Sequence, residues 1–345
     1  MRLEHTTITL PLRHAWTLSR GTSREKRNVL VRITSAGRHG VGEAAPNTRY
    51  GEDAAGVERD LDRVAAALPG DATGIEIDAL LDRVERLLPA SPAARAAIDI
   101  ALHDLAGRLD GTPLHRRFGL DTAAIPPTSF SIGLDTPERM RQKVREARDF
   151  ALFKVKLGGG DDRAAIEAIR AVTDRPLVVD VNEGWSDPEA AAALIDWLRT
   201  MGVIRVEQPL PAADLDGAVR LHRRASLPII ADEAALGEAD IAGLADAYDG
   251  VNVKLQKAGG LRAARRMIER ARQAGLRVML GCMIETSIGI AAAAHLAALA
   301  DDADLDGHLL LAADPYRGLR LEGGRVLPSD APGLGVEGDW PGAIA

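Results

Sequence analysis

Apolar and polar positions change rhythm along the chain, and the changes outline its elements. Residues 3–10 alternate, and residues 28–34 repeat the pattern, the period-two signature of strands. Gly40, Gly42 and Pro46 are then expected to break the chain. Helical spacing follows at 52–68, 78–88 and 92–109, and strands followed by helices predict an α+β unit over residues 1–120. Beyond it, short β-branched runs alternate with helical segments: 128–132, 153–157, 177–181, 204–207, 229–232, 251–254, 278–281 and a weaker one at 304–306. Eight runs spaced by roughly 25 residues describe eight βα units, and so an α/β chain with a (β/α)8 TIM-type barrel over residues 121–318. An open doubly wound sheet would favour a Gly-rich loop after its first strand, and Phe130-Ser131-Ile132-Gly133-Leu134 supplies none. Residues 319–345, rich in Gly and Pro, are expected to leave the barrel and return to the first domain, which caps it.

Composition narrows the class. The 345 residues are 46% apolar and 27% charged, a soluble globular balance with length for two domains. The formal charge of −7 argues against nucleic acid as a partner, because phosphate neutralisation needs a concentrated basic surface. The basic stretch 262–277 has apolar residues at helical spacing and reads as the wet face of an amphipathic helix. Cys282 is the one cysteine, so no intrachain disulfide is possible. Residues 1–16 lack the basic start and apolar core of a signal peptide, and the most apolar run, 288–300, is too short to span a bilayer. A cytoplasmic protein with no membrane partner is expected.

The charges at the strand ends carry the chemistry. Lys154 and Lys156, Asp180, Glu207, Asp232, Lys254, Asp304 and Asp306 each close an apolar run. Catalytic groups in a TIM barrel sit at these C-terminal ends, and charges inside a barrel are costly unless paired or metal-bound. Asp180, Glu207 and Asp232 end consecutive strands, which lie about 5 Å apart, so their side chains can converge on one ion. Three oxygen ligands with no His or Cys suit Mg²⁺ rather than zinc. Asn182, two residues after Asp180 on the same face, is a candidate partner behind the ligands. Glu233 is expected to point away from Asp232, and Lys257 reads as a loop lysine without a role.

Lys154 and Lys156 flank Val155 and so both face the barrel. Lys254 ends the sixth strand, opposite the second on an eight-strand ring. Neighbouring cations and partial burial are expected to lower the lysine pKa values toward use as bases. Bases on opposite faces of a carbon let one remove a proton and the other return it, which inverts the stereocentre. Mg²⁺ on a substrate carboxylate would stabilise the enediolate that forms when its α-proton leaves.

At these residues the chain resembles the enolase superfamily, in the branch of muconate cycloisomerases and dipeptide epimerases. The matching segments are Lys154-Val155-Lys156, Asp180-Val181-Asn182, Val206-Glu207-Gln208-Pro209, Ala231-Asp232-Glu233 and Asn252-Val253-Lys254-Leu255. The resemblance implies that Lys156 and Lys254 are the acid/base pair, that Lys154 holds the substrate carboxylate, and that Asp180, Glu207 and Asp232 bind Mg²⁺. It also implies a homo-oligomer. Gly281-Cys282-Met283-Ile284-Glu285-Thr286-Ser287, Asp304-Leu305-Asp306-Gly307, Ser19-Arg20-Gly21 and Arg49-Tyr50-Gly51-Glu52 look like dipeptide epimerases, particularly those for L-Ala-D/L-Glu. Met283 and Glu285 are then substrate-binding. His308 follows Gly307 where proline is usual, and it reads as structural.

A dipeptide carries a free ammonium, which needs an anionic partner once desolvated, and Asp304 with Asp306 can supply it. Arg20 could meet a side-chain carboxylate of the substrate, with Arg13, Arg24 and Arg27 as nearby alternatives. The expected activity is therefore Mg²⁺-dependent dipeptide epimerisation. An o-succinylbenzoate synthase or muconate cycloisomerase would use the same lysines and metal. Its substrate has no ammonium, and two aspartates would repel its carboxylates. A non-catalytic, metal-stabilised barrel is the remaining alternative.

Overall fold

A computed structural model describes residues 1–68 and 76–341. The first three strands, β1 (Arg2–Leu18), β2 (Gly21–Ser35) and β3 (Arg38–Ala44), form an antiparallel sheet in chain order. Three helices pack on it: α1 (Ala54–Ala67), α2 (Ile77–Leu87) and α3 (Pro92–Asp110). Asp53 starts α1 by accepting the Gly56 N–H at 2.7 Å. Val29, Val31 and Ile33 of β2 are fully buried against Leu61, Ile98, Leu102 and Leu105.

Gly40 and Gly42 do not break the chain. Both lie inside β3, where a Cβ would collide with the carbonyl oxygens of Ala101 and Ala97 in α3. They are glycine because strand and helix approach closely, not because the backbone turns.

The barrel follows as β4 (Phe130–Ile132), β5 (Phe153–Lys156), β6 (Leu177–Asp180), β7 (Val203–Glu207), β8 (Ile229–Ala231), β9 (Gly250–Lys254), β10 (Arg277–Gly281) and β11 (Asp302–Asp304). These eight parallel strands neighbour one another in chain order. A parallel bridge between Thr128 and Ala303 joins the two ends of the sheet, and the Ser129 N–H donates to the Ala303 carbonyl at 3.1 Å. β11 lies two residues earlier than the weak pattern at 304–306 suggests. Its first residue, Asp302, is an acid held by Arg277 at 2.5 Å and Arg205 at 2.9 Å, so the run never looks apolar. Asp306 consequently sits past the strand, ahead of the short helix Gly307–Leu310.

The helix Leu261–Gln273 matches the amphipathic pattern, but its basic face is not simply wet. Arg262 pairs with Asp82 at 2.8 Å and Glu85 at 2.9 Å on α2. Near the end of the chain, Leu334 N–H donates to Asp104 of α3 at 2.8 Å, and Gly333 accepts from Leu114 N–H at 3.0 Å. The β1–β2 hairpin reaches over the C-terminal ends of the barrel strands: Leu134 N–H donates to Thr17 O at 3.0 Å, and Ala312 N–H to Pro11 O at 2.8 Å. Among the described residues no helix is long and apolar enough to cross a membrane.

Candidate active site

Strand register sets the height of the charged groups. Lys156 lies opposite Asp180, and Asp180 opposite Glu207, so three consecutive strands end their pairing in one row. Asp232 follows β8 directly and Lys254 ends β9. Beneath the hairpin, Lys156, Asp232 and Lys254 line a cavity of about 230 Å³, shared with Lys154, Asp304, Asp306 and Met283 from the barrel and with Trp16, Arg20, Asn28 and Tyr50 from the capping unit. Asp180 and Glu207 are fully buried against the lysines of that wall.

The three carboxylates Asp180, Glu207 and Asp232 are buried and each brings an oxygen within 4.8 Å of the others. Each has one oxygen held from behind. Asp180 Oδ1 accepts the Asn182 N–H at 3.0 Å, Glu207 Oε1 accepts Asn252 Nδ2 at 2.9 Å, and Asp232 Oδ1 takes Lys257 Nζ at 2.6 Å. The second oxygens face lysines that line the cavity: Lys154 Nζ is 3.0 Å from Asp180 Oδ2 and 2.7 Å from Glu207 Oε2, Lys156 Nζ 2.5 Å from Asp180 Oδ2, and Lys254 Nζ 2.8 Å from Asp232 Oδ2. Three converging hard oxygens, each braced from behind and balanced in front only by flexible ammonium groups, fit a Mg²⁺-sized cation.

The electrostatics follow from that packing. Burial opposes the charge on Lys154 and Lys254, yet the facing carboxylates, Asp180 for Lys154 and Asp232 for Lys254, hold both ammoniums above their ordinary value. The lowering expected from neighbouring cations does not hold for these two, because the facing carboxylates outweigh the nearby cations. Burial pushes Glu207 up to about 8, with Asp180 adding to it. Asp180 and Asp232 stay below the usual carboxylate range despite burial, because Lys154 with Lys156, and Lys254 with Lys257, sit against them.

Two further expectations change. Lys257 is not a loop lysine. It is buried in the short helix Leu255–Ala258 and holds Asp232 at both Oδ1 and the carbonyl, each at 2.6 Å, as well as the Asn252 carbonyl at 3.0 Å. Glu233 does not point away. β8 ends at Ala231, so alternation no longer applies to the two residues that follow, and Glu233 lines the cavity. It pairs with Arg20 Nη2 at 2.8 Å and accepts Asn182 Nδ2 at 3.2 Å.

The turns after β6 and β7 are strained. Asn182, Glu183 and Gln208 have φ of 47°, 67° and 36°, in the left-handed region that L side chains rarely occupy. Hydrogen bonds hold them there. The Asn182 carbonyl accepts from Ser19 Oγ at 2.9 Å and Arg20 Nη1 at 2.8 Å, and Gln208 Oε1 accepts the N–H groups of Asp232 at 2.9 Å and Ala234 at 3.1 Å. Arg49 closes a two-bond fork on Glu183, both at 2.7 Å.

At the other end of the cavity, Asp304 takes Lys154 Nζ at 2.8 Å and Ser129 Oγ at 2.6 Å. Asp306 accepts the Ser131 N–H at 2.6 Å, and burial together with Asp304 pushes its carboxyl up to about 7. Neither is a solvated loop residue. Glu285 does not line the cavity. Its oxygens take Met283 N–H and Gln256 Nε2, both at 2.8 Å, behind the cavity wall and beside buried Glu43. Arg20 lines the cavity, whereas Arg13, Arg24 and Arg27 do not. Asn252 was not singled out from the sequence, although it precedes Lys254 by two on the inward face, and that spacing is the signal that could have found it. Lys257, Glu43 and the Arg49–Glu183 fork carried no local signal, since their partners are distant in the chain.

The sequence matches the description "Mandelate racemase / muconate lactonizing enzyme, N-terminal domain" over residues 4–119 and "Enolase C-terminal domain-like" over residues 137–342. It is 40% identical over 328 residues to the L-Ala-D/L-Glu epimerase of Bacteroides thetaiotaomicron, covering 95% of this chain and 85% of that one. The fold superposes on a substrate-liganded complex of the L-Ala-D/L-Glu epimerase from Bacillus subtilis with a TM-score of 0.92 and 31% identity, over 98% of both chains. It also superposes on the dipeptide epimerase of Enterococcus faecalis complexed with Mg and L-Leu-L-Tyr, at TM-score 0.89 and 32% identity, over 97% of this chain and 98% of that one. The chain belongs to the mandelate racemase / muconate lactonizing enzyme family of the enolase superfamily.

Proposed function

We propose that this enzyme is an isomerase, a dipeptide epimerase that inverts an α-carbon by proton transfer between Lys156 and Lys254. The observation that carries the reading is the placement of these two lysines: both line one cavity, from strands four apart in an eight-strand ring, on either side of the carboxylate triad. Asp180, Glu207 and Asp232 would hold Mg²⁺, which supplies electrostatic stabilisation of the charge that develops on the substrate carboxylate. Lys154, buried among Asp180, Glu207 and Asp304, steadies that carboxylate end. One of Lys156 and Lys254 accepts the α-proton at Nζ and the other donates one from the opposite face. Asp304 and Asp306 receive the free ammonium, and Met283 forms part of the wall on that side. Trp16, whose ring lies 5.7 Å from Lys156 Nζ, screens the base from water. Two acids at the ammonium end disfavour the lyase and cycloisomerase alternatives, whose substrates bring only negative charge there. An L-Ala-D/L-Glu epimerase and a dipeptide epimerase complexed with L-Leu-L-Tyr match this chain at 31% and 32% identity, so the dipeptide is a separate question. L-Ala-L-Glu is the first candidate.

The test is proton NMR of a dipeptide panel in deuterated water with enzyme and Mg²⁺. Loss of the α-proton of the C-terminal residue, with growth of the second diastereomer, is expected. No exchange on any dipeptide would remove the epimerase reading.

A further inference from the structure

Five cationic side chains line the cavity: Arg20, Lys26, Lys154, Lys156 and Lys254. Four face carboxylates at hydrogen-bond distance: Arg20 with Glu233 at 2.8 Å, Lys154 with Glu207 at 2.7 Å, Lys156 with Asp180 at 2.5 Å and Lys254 with Asp232 at 2.8 Å. Lys26 differs. Among the described residues it makes no hydrogen bond and no ion pair.

Its position is not that of a surface lysine. Lys26 lies on β2 opposite Leu10, two residues before Asn28. Period two puts both side chains on the barrel side of the sheet, and both line the cavity. Asn28 is anchored there by donating to the Ile284 carbonyl at 3.0 Å. The Lys26 stem is half-buried, and burial pushes its ammonium below the ordinary value with no acid near enough to offset the loss of water. A desolvated cation without a counter-ion is unfavourable, so a free one in the wall of a binding cavity points to an anion supplied by the ligand.

The other charges of a bound dipeptide already have places. The α-carboxylate goes to the triad end with Lys154, and the ammonium to Asp304 and Asp306. What remains is a side chain. Arg20 is poorly suited to it, because its guanidinium is committed to the Asn182 carbonyl, Glu183 and Glu233. Withdrawing it would strand Glu233, whose side chain is 1% exposed.

We propose that Lys26 is a specificity-determining residue that receives the side-chain carboxylate of the substrate, so that the enzyme selects dipeptides whose epimerised residue is acidic. The proposal rests on the epimerase reading for the placing of the other charges.

The experiment compares the Mg²⁺-loaded full chain with Lys26→Met and Lys26→Glu. Epimerisation of L-Ala-L-Glu and of its uncharged isostere L-Ala-L-Gln is followed by NMR. The wild type is expected to prefer the Glu dipeptide. Lys26→Met should lower kcat/KM for it by about 10- to 100-fold, mainly through KM, while leaving the Gln dipeptide within about twofold. Lys26→Glu should invert the preference toward L-Ala-L-Lys. Equal losses on the Glu and Gln dipeptides would overturn the proposal and leave the epimerase reading intact. Calorimetric titration with glutarate and with butyrate separates the two claims without turnover. If no dipeptide reacts but Lys26→Met abolishes the preference for glutarate, the acidic-ligand site stands and the epimerase reading falls. If glutarate binds wild type and Lys26→Met alike, Lys26 is not an anion site.

Discussion

The barrel and the capping unit meet at one cavity but present charge to it differently. On the barrel, register sets Lys156, Asp180 and Glu207 at one height, and the ends of β8 and β9 add Asp232 and Lys254. These groups form a closed set in which every acid has a cation and every cation an acid. On the capping side, Arg20 and Arg49 hold the strained turn after β6 in shape, and Lys26 is left with its charge unmatched. A balanced, rigid set suits chemistry common to many substrates. An unbalanced wall suits selection among them. The capping unit therefore does two jobs, bracing the barrel turns and reading the ligand, and mutations should separate the two regions.

The largest effect is expected on the barrel side. Lys156→Ala or Lys254→Ala should slow epimerisation of every dipeptide by about 100- to 10,000-fold, with folding, followed by circular dichroism, unchanged. Wild-type turnover in either variant would remove the two-base assignment. Next comes the brace behind the triad. Lys257→Met should weaken Mg²⁺ binding by about 10- to 100-fold, measured by calorimetry with the metal alone. Unaltered affinity would mean that Asp232 needs no support from Lys257, despite the 2.6 Å contact.

Asp306 tests the far end of the cavity. Asp306→Asn should raise KM for free dipeptides by about 10-fold and leave N-acetylated ones little changed. The Asp306 carboxyl, pushed up to about 7, is neutral below that pH and charged above it. KM for free dipeptides should fall as pH rises through about 7 in the wild type, and that slope should flatten in Asp306→Asn. An identical pH profile in both would rule out ammonium binding by this residue.

The smallest effect lies behind the cavity wall. Burial, and then Glu43, push Glu285 up to about 8 from the ordinary 4.5. A carboxyl raised in the fold stabilises fully at pH below its ordinary value, and that contribution is lost as pH rises through its folded value. The Tm should fall by a few degrees as pH rises from about 5 to about 8, and by less in Glu285→Gln. A Tm that falls equally in both would place the loss elsewhere. None of this should alter the choice between the Glu and Gln dipeptides, which is the contrast between rigid wall and reading wall in its sharpest form.

Much of the barrel was legible because its signals are local. Seven of the eight strands coincide with apolar runs, and alternation alone places Lys154 and Lys156 on the inward face. The eighth was shifted because Asp302 masks it with charge that Arg277 and Arg205 neutralise from other strands. Glu233 was misjudged where a strand ends and alternation stops. Gly40 and Gly42 look like breakers until α3 is laid against them.

By itself, then, the sequence determined which residues end the strands, because apolar periodicity and register are properties of neighbouring residues. It also determined the chemical types that gather there, five acids and three lysines. Only the tertiary structure decided how those charges are matched. Lys257 reaches back to Asp232 across 25 residues, Arg20 reaches Glu233 across more than 200, and Lys26 is left facing the cavity alone. Pairing depends on distance in space, and a charge left over shows only after every other pair has been found.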